Sequence, residues 1–425
     1  MLGLLTQASA ADAESIVCGK FASPAGSDDA GGGVNDPYRT VGRLAQSLHA
    51  GEMGCLLDGT YTGDVSIRNG GTAGSPITVT AAAGAVPSLH GRLEVHDSAN
   101  FVTISRLRID GSASNEVTVQ IWGDSVTVRD SDITNPTGSC FIVGSRDYGI
   151  ALRPQIVHNR IHDCGDSRFD HSIYANAVRD GTIADNTIYH TSGWGFHGYK
   201  DADGTIVERN IIDAAGESGI LFGGDLSDGT CLSSDGVVVR DNIITFNEKH
   251  GVDEWWGCAP GKDNVAEHNC VWGNGSGPFD SSFEGYVERG NILADPLYVD
   301  RAARDFRLRS GSPCAGLGPQ EGAALPPPLP PRPPAPQAPP PPPSPGRTGA
   351  PGSAARVCVV PRLGNKTLQA ARKSLARAHC RLGRVTRAYK RGVAKGRVVA
   401  QRPRARTPLP FGSRVNLVVS RGRRR

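Results

Sequence analysis

Ile156-Val-His-Asn159-Arg-Ile161, Ile183-Ala-Asp-Asn186-Thr-Ile188 and Val239-Arg-Asp-Asn242-Ile-Ile244 are three copies of one short pattern. Each reads as an aliphatic residue, two variable ones, Asn, one variable residue and an aliphatic again. Looser copies centre on Asn210, Asn269 and Asn291, and two earlier ones, around Leu107 and Ser131, keep the aliphatic frame without the amide. The anchors 107, 131, 159, 186, 210, 242, 269 and 291 are 24, 28, 27, 24, 32, 27 and 22 residues apart. A recurring period of this size marks a solenoid, and the count fits one coil of three short strands and three turns. A single coil cannot bury its own inner face. Stacked at ~4.8 Å, successive coils complete each other's backbone hydrogen bonds and line up their aliphatic residues in columns. Asn suits the turn because it tolerates left-handed backbone angles and its amide can bond to the copies above and below, so these asparagines are read as structural.

Nine residues after three of the anchors come Gly195-Phe196, Gly219-Ile220 and Gly251-Val252, a mark that sets the following strand in one register. The intervals are too short and too glycine-rich to hold helices between strands, which excludes a TIM barrel or a doubly wound α/β sheet. The composition of 54 Gly and only 6% aromatic residues agrees with a turn-rich β architecture. No stretch is long and apolar enough to span a membrane.

Upstream of the repeats, residues 22–63 contain a short amphipathic segment with Val41, Leu44 and Leu48 on one face. A helix there would cover the unpaired edge of the first coil. Together with Gly71-Thr-Ala-Gly-Ser-Pro-Ile-Thr-Val79, this stretch resembles the N-terminal cap and first rungs of the pectate-lyase-like right-handed β-helix families. The resemblance covers about 22–318 and implies a mainly β chain whose residues 18–320 form a right-handed parallel β-helix, a three-sided solenoid with an N-terminal cap. Those families include lyases, hydrolases, epimerases and proteins with no known activity, so it leaves the chemistry open.

Charge divides the chain in two. Residues 1–321 hold 23 Lys+Arg against all 42 Asp+Glu, and the remainder holds 23 Lys+Arg and no acid. An anionic partner should meet the C-terminal part. Residues 321–356 are dominated by proline and read as a semi-rigid tether in polyproline II form. Beyond it, Val360-Pro-Arg-Leu-Gly-Asn-Lys-Thr-Leu368, Cys380-Arg-Leu-Gly383, Gly396-Arg-Val-Val-Ala-Gln401 and Pro410-Phe-Gly-Ser-Arg-Val-Asn-Leu-Val-Val-Ser420 follow in order and resemble one PASTA domain over 357–422, a small α+β module with a helix at 367–378. Residues 423–425 are a basic tail. The resemblance implies binding of peptidoglycan or related wall polymers. The 20 Lys+Arg of the domain and its basic tail together would attract anionic wall polymers at low salt. Nucleic acid is the competing partner on charge alone, and it is disfavoured because no aromatic stacking platform accompanies the charge.

Ten cysteines without a C-x-x-C pair argue for disulfides and an oxidising compartment. The expected pairs are Cys18 with Cys55, Cys140 with Cys164, Cys231 with Cys258, and Cys358 with Cys380. Residues 1–17, ending near Ala8-Ser9-Ala10, read as the tail of a secretory leader, so the chain is expected outside the cell or on its wall.

Strand alternation from the glycine-apolar mark allows outward side chains to be read off. With Ile173, Phe196, Ile220 and Val252 inward, Tyr174, His197, Leu221 and Asp253 point outward, followed two residues on by Asn176, Tyr199, Gly223 and Trp255. Asp170, His171, Lys200, Asp225 and Glu254 are expected close by at turns. Ring faces beside carboxylates and amides suit a saccharide groove, so Tyr174, Asn176, Tyr199, Trp255 and His171 are the candidate substrate-binding residues. A lyase of this fold needs a base near the C5 proton of a uronate, with Ca²⁺ to neutralise the carboxylate. Lys200, His197 and Asp253 are the candidate catalytic residues, and Asp225 and Asp253 the candidate Ca²⁺ ligands. A hydrolase would instead use Asp253 and Asp225 as its two carboxylates, and strict alternation turns Glu254 inward. Three readings stay open: a lyase acting on an acidic polysaccharide, a glycoside hydrolase, and a non-enzymatic, adhesin-like carbohydrate-binding protein.

Overall fold

A computed structural model describes residues 17–113, 117–227 and 229–320 and, toward the C-terminus, residues 358–367, 371, 374, 375, 378, 380–388, 394–402, 408, 409 and 414–422. The expected leader, apart from Val17, the proline-rich tether and the basic tail lie outside the described residues. The chain divides into two compact units, Met1–Arg332 and Pro333–Arg425.

The first unit is a parallel β-solenoid. Each coil visits three sheets in turn. The first sheet stacks 11 strands from Lys20–Ala22 to Val287–Arg289, the second nine from Thr60–Thr62 to Cys270–Trp272, and the third nine from Val65–Ile67 to Gly277–Phe279, with two short strands beside them. Pairing is in register from coil to coil. Ile156 lies opposite Ile183, Ile161 opposite Ile188, and Phe196 opposite Ile220, which in turn faces Val252. Three inward columns result, running through Val128, Ile156, Ile183, Val207 and Val239; through Ile133, Ile161, Ile188, Ile212 and Ile244; and through Phe141, Ile173, Phe196, Ile220 and Val252, all buried. Each such side chain contributes ~1.5–3 kcal/mol on burial.

The asparagines form the expected ladder by a different backbone route. Asn159, Asn186, Asn210, Asn242 and Asn269 each donate both the backbone N–H and the side-chain Nδ2 to Oδ1 of the next Asn, the last to Asn291, at 2.9–3.1 Å. The left-handed angle that the sequence suggests for Asn is adopted instead by the residue before it: His158, Asp185, Arg209, Asp241 and His268 have φ between 49° and 58°, and so does Asp130 before Ser131. That residue makes the corner, and Asn follows it so that its amide points into the stack. The glycine mark has a spatial reason. A Cβ on Gly195, Gly219 or Gly251 would lie 2.4–2.6 Å from the Ile212, Ile244 or Val271 side chain.

Both ends are tied down. Helix α1, Val41–Ser47, is capped by the Thr40 hydroxyl accepting from Arg43 N–H and buries Val41, Leu44 and Ala45 against the first coils, as its amphipathic pattern predicts. At the other end, the chain beyond Asn291 forms a two-stranded antiparallel hairpin, Tyr298–Asp300 with Asp305–Leu308, and runs back along the outside of the second sheet. There Tyr298, Phe306 and Cys314 cover Tyr189, Ile211 and Ile243. Arg301 pairs with Asp213 at 2.8 Å, and Arg304 lies over the Tyr189 ring.

Three of the expected disulfides are present, Cys18–Cys55, Cys140–Cys164 and Cys231–Cys258. A fourth, Cys270–Cys314, pins the returning segment and joins two cysteines that the sequence reading leaves unassigned. Cys380 is also disulfide-bonded, while the Cys358 side chain lies outside the described residues.

In the second unit, Arg381–Ala388 pairs parallel with Arg414–Ser420, which pairs antiparallel with Val398–Arg402. Val360, Leu363, Ala371, Leu375, Val398, Val415, Leu417 and Val419 form its core.

Candidate functional site

With the second sheet covered by the returning segment, the outer face of the third sheet carries the concentration of rings. Its strands Ile173–Arg179, Phe196–Asp203, Ile220–Ser227 and His250–Trp256 are longer than those of the other two sheets of the solenoid. Outward positions on successive coils therefore stack into continuous rows. Tyr174 lies beside His197, His197 beside Leu221, and Leu221 beside Asp253.

The rings form a connected row. His171 contacts Tyr174, Trp194 and His197 with centroids 5.1, 5.4 and 4.6 Å apart. His197 lies between Trp194 at 4.6 Å and Tyr199 at 5.3 Å, near-parallel to both. Tyr199 reaches Trp255, two coils on, at 5.7 Å. Gly223 lies in the intervening coil and makes this reach possible, since a Cβ there would sit 2.7 Å from the Tyr199 ring. Trp255 is the most open member, 46% exposed.

Burial sets the protonation of this row. It depresses His171 to about 4. It also holds His197 well below its ordinary value, with His171 adding to the effect, so both imidazoles are neutral near pH 7. Burial pushes Tyr174 up to about 12. Tyr199 is likewise raised, by burial first and then by its hydrogen bond to Asp225. The face thus offers neutral rings whose edges carry hydrogen-bonding atoms, which suits a polyhydroxylated ligand.

Most of the residues proposed from sequence meet here. His171, Tyr174, His197, Tyr199 and Trp255 form the row, and Asp225 joins it by accepting from the Tyr199 hydroxyl at 2.8 Å. Trp194 also belongs to it, although alternation counted from the inward residues missed it. Its flanking Gly193 and Gly195 are required by other contacts, since a Cβ there would meet Asp170 O at 2.3 Å and the Ile212 side chain at 2.5 Å, so they do not announce the ring. Asn176 falls where the register between the Ile173–Arg179 and Phe196–Asp203 strands shifts. Lys200 is half-buried and makes no hydrogen bond or ion pair among the described residues.

Two expectations are corrected. Lys200, Asp225 and Glu254 lie within strands and not at turns. Glu254 points inward, as strict alternation requires, and is buried accepting from Trp256 Nε1 at 2.8 Å and from the Phe283 and Gly285 N–H groups, so it braces the last coil. Asp225 and Asp253 do not share a cation or a glycosidic bond. Gly224 pairs with Trp256, and Asp225 overhangs Gly257. Gly257 is four residues beyond Asp253, about 13 Å along an extended strand.

Asp253 has other partners. Its Oδ2 accepts from the Ser218 hydroxyl at 2.6 Å and lies 3.9 Å from His250 Nδ1. Burial raises its pKa, and Asp280 contributes. His250, Asp253 and Asp280 place one ligand atom each within 4.8 Å of one another, the group of three ligand-type residues found among the described residues. Calcium takes six to eight oxygen ligands. A set of two carboxylates and an imidazole nitrogen does not fit it.

Residues 93–283 match the family model described as right handed beta helix region, and residues 359–421 match that of the PASTA domain. The chain is a right-handed parallel β-helix protein with a C-terminal PASTA domain. Among solved structures it is similar to pectate lyase Pel9A at 15% identity and TM-score 0.45, covering 73% of this chain and 94% of that one. It is also similar to the GH136 lacto-N-biosidase from Eubacterium ramulus, at 13% identity and TM-score 0.45, covering 64% and 61%. For the alginate lyase from Paenibacillus sp. str. FPU-7 the values are 13%, 0.38, 60% and 96%. No curated protein matches the chain in sequence. Among the described residues, no helix is long and apolar enough to cross a membrane.

Proposed function

We propose that the ring row of the third sheet binds an acidic polysaccharide lying along the solenoid, and that the PASTA domain holds the protein to peptidoglycan or anionic wall polymers outside the cell. The observation that carries the first part is the connected row from His171 to Trp255, whose open end stands free for a sugar to stack on. An acidic ligand is favoured because Lys200 lies in the same strand as His197 and Tyr199 and has no carboxylate partner among the described residues. The disulfides favour an oxidising compartment, and the acid-free charge of the C-terminal region favours an anionic anchor.

β-Elimination is a second reading, favoured by one specific feature. His197 is neutral at pH 7 and so able to accept a proton, while Tyr199 keeps a hydroxyl proton to donate. In such a step the C5–H bond of a uronate breaks toward the imidazole, a C4–C5 double bond forms, and the C4–O bond breaks as the leaving oxygen takes a proton. Lys200 would neutralise the sugar carboxylate. The protein is incubated with a panel of uronate polysaccharides, and both retention in affinity gels and absorbance of unsaturated products are followed. Retention that disappears in Trp255→Ala supports the binding reading; retention by none of the panel defeats it. Unsaturated product lost in His197→Ala establishes the lyase, and retention without product establishes the adhesin-like alternative.

A further inference from the structure

We infer that His250, Asp253 and Asp280 form a site for a divalent first-row transition ion of the zinc type. The inference stands apart from the saccharide reading and rests on the last coils of the third sheet. His250 and Asp253 belong to the strand His250–Trp256. Because Val252 pairs with Phe279, Asp280 lies beside Asp253 on the next coil. Parallel stacking thus places two carboxylates ~4.8 Å apart in strand spacing, an arrangement that repels itself unless a cation lies between them.

The imidazole supplies the independent observation. His250 Nδ1 is shut off from water and has no hydrogen-bond partner among the described residues, although it faces Asp253 Oδ2 at 3.9 Å. A buried nitrogen left unpaired calls for a reason, and a metal ion taking its lone pair supplies one. The support around the ligands fits as well. The Ser218 hydroxyl donates to Asp253 Oδ2 at 2.6 Å and accepts from the His250 backbone N–H at 3.2 Å, so one residue of the neighbouring coil holds the Asp253 carboxylate and the main chain that carries His250. One nitrogen and two carboxylates match the three protein ligands of zinc and its neighbours, whereas calcium requires a larger all-oxygen shell.

The untagged full-length protein, stripped with chelator, is titrated with Co²⁺ while its visible absorption is recorded, and its melting temperature is measured with and without Zn²⁺. A Co²⁺ band that Zn²⁺ abolishes, and a melting temperature several degrees higher with Zn²⁺, are expected. His250→Gln and Asp280→Asn should each remove the band, and Ser218→Ala should weaken Co²⁺ binding about tenfold or more. Absence of the band, or its survival in both ligand variants, overturns the site. Displacement of Co²⁺ by an equal concentration of Ca²⁺ overturns the choice of ion.

Discussion

The Tyr199 hydroxyl donates to Asp225 Oδ2 at 2.8 Å, and the bond lays the Tyr199 ring over Gly223 of the neighbouring coil. Tyr199 thereby links the half-buried rings around His197 to the exposed Trp255. A methyl group at 223 would meet the ring at 2.7 Å and push it off. Gly223→Ala should therefore weaken oligosaccharide binding several-fold, consistent with ~0.5–1.5 kcal/mol for one aromatic contact, as read by calorimetric titration. Unchanged affinity would show that the row does not act as one surface.

Two histidines should give the stability of the solenoid opposite pH limbs. His171 is depressed to about 4 by burial against an ordinary value of 6.5, so the unfolded chain takes up its proton first. Its contribution is complete above pH 6.5 and is lost as pH falls toward about 4. His162 is buried too, but its bonds to Asp132 at 2.8 Å and Asp163 at 2.7 Å overcome the burial and raise its pKa. Its contribution is complete below pH 6.5 and is lost as pH rises through the folded value. Urea midpoints measured across pH should flatten on the acid side in His171→Phe and on the alkaline side in His162→Gln.

Asn210 is the middle of the ladder. Its Nδ2 donates to Ile183 O, Glu208 O and Asn242 Oδ1, and its Oδ1 accepts from Asn186 N–H and Nδ2. Asn210→Ala leaves several buried groups unpaired, which should cost on the order of 3–5 kcal/mol in denaturant melts. Asn291→Ala, at the end of the stack, should cost less.

The Cys270–Cys314 bond, with a sequence separation of 44, holds the returning segment on the second sheet. A loop of that length restricts the unfolded chain by about 4 kcal/mol in the loop-entropy model. The double variant Cys270→Ser/Cys314→Ser should lose about 2–4 kcal/mol and admit protease between residues 292 and 320. Equal melting with and without the bond would argue that the Tyr298 and Phe306 contacts suffice.

The solenoid was legible in the chain because its determinants are local and repeated. Each Ile-x-x-Asn-x-Ile copy specifies a strand, a corner and the next strand, and identical copies can bury their aliphatic residues only by stacking. The same periodicity located the row from Tyr174 to Trp255, since side chains alternate strictly along each strand. The returning segment was not legible. Its contacts, such as Arg301 with Asp213, join positions 88 residues apart with no repeat to announce them. Nor was the separation of Asp225 from Asp253, which depends on how far each strand runs beyond its mark. The grouping of His250, Asp253 and Asp280 was hidden for a related reason. It arises where one strand's side chains meet those of the next coil, and only the stacked register, which turns 27 residues of sequence into one ~4.8 Å step, brings such residues together.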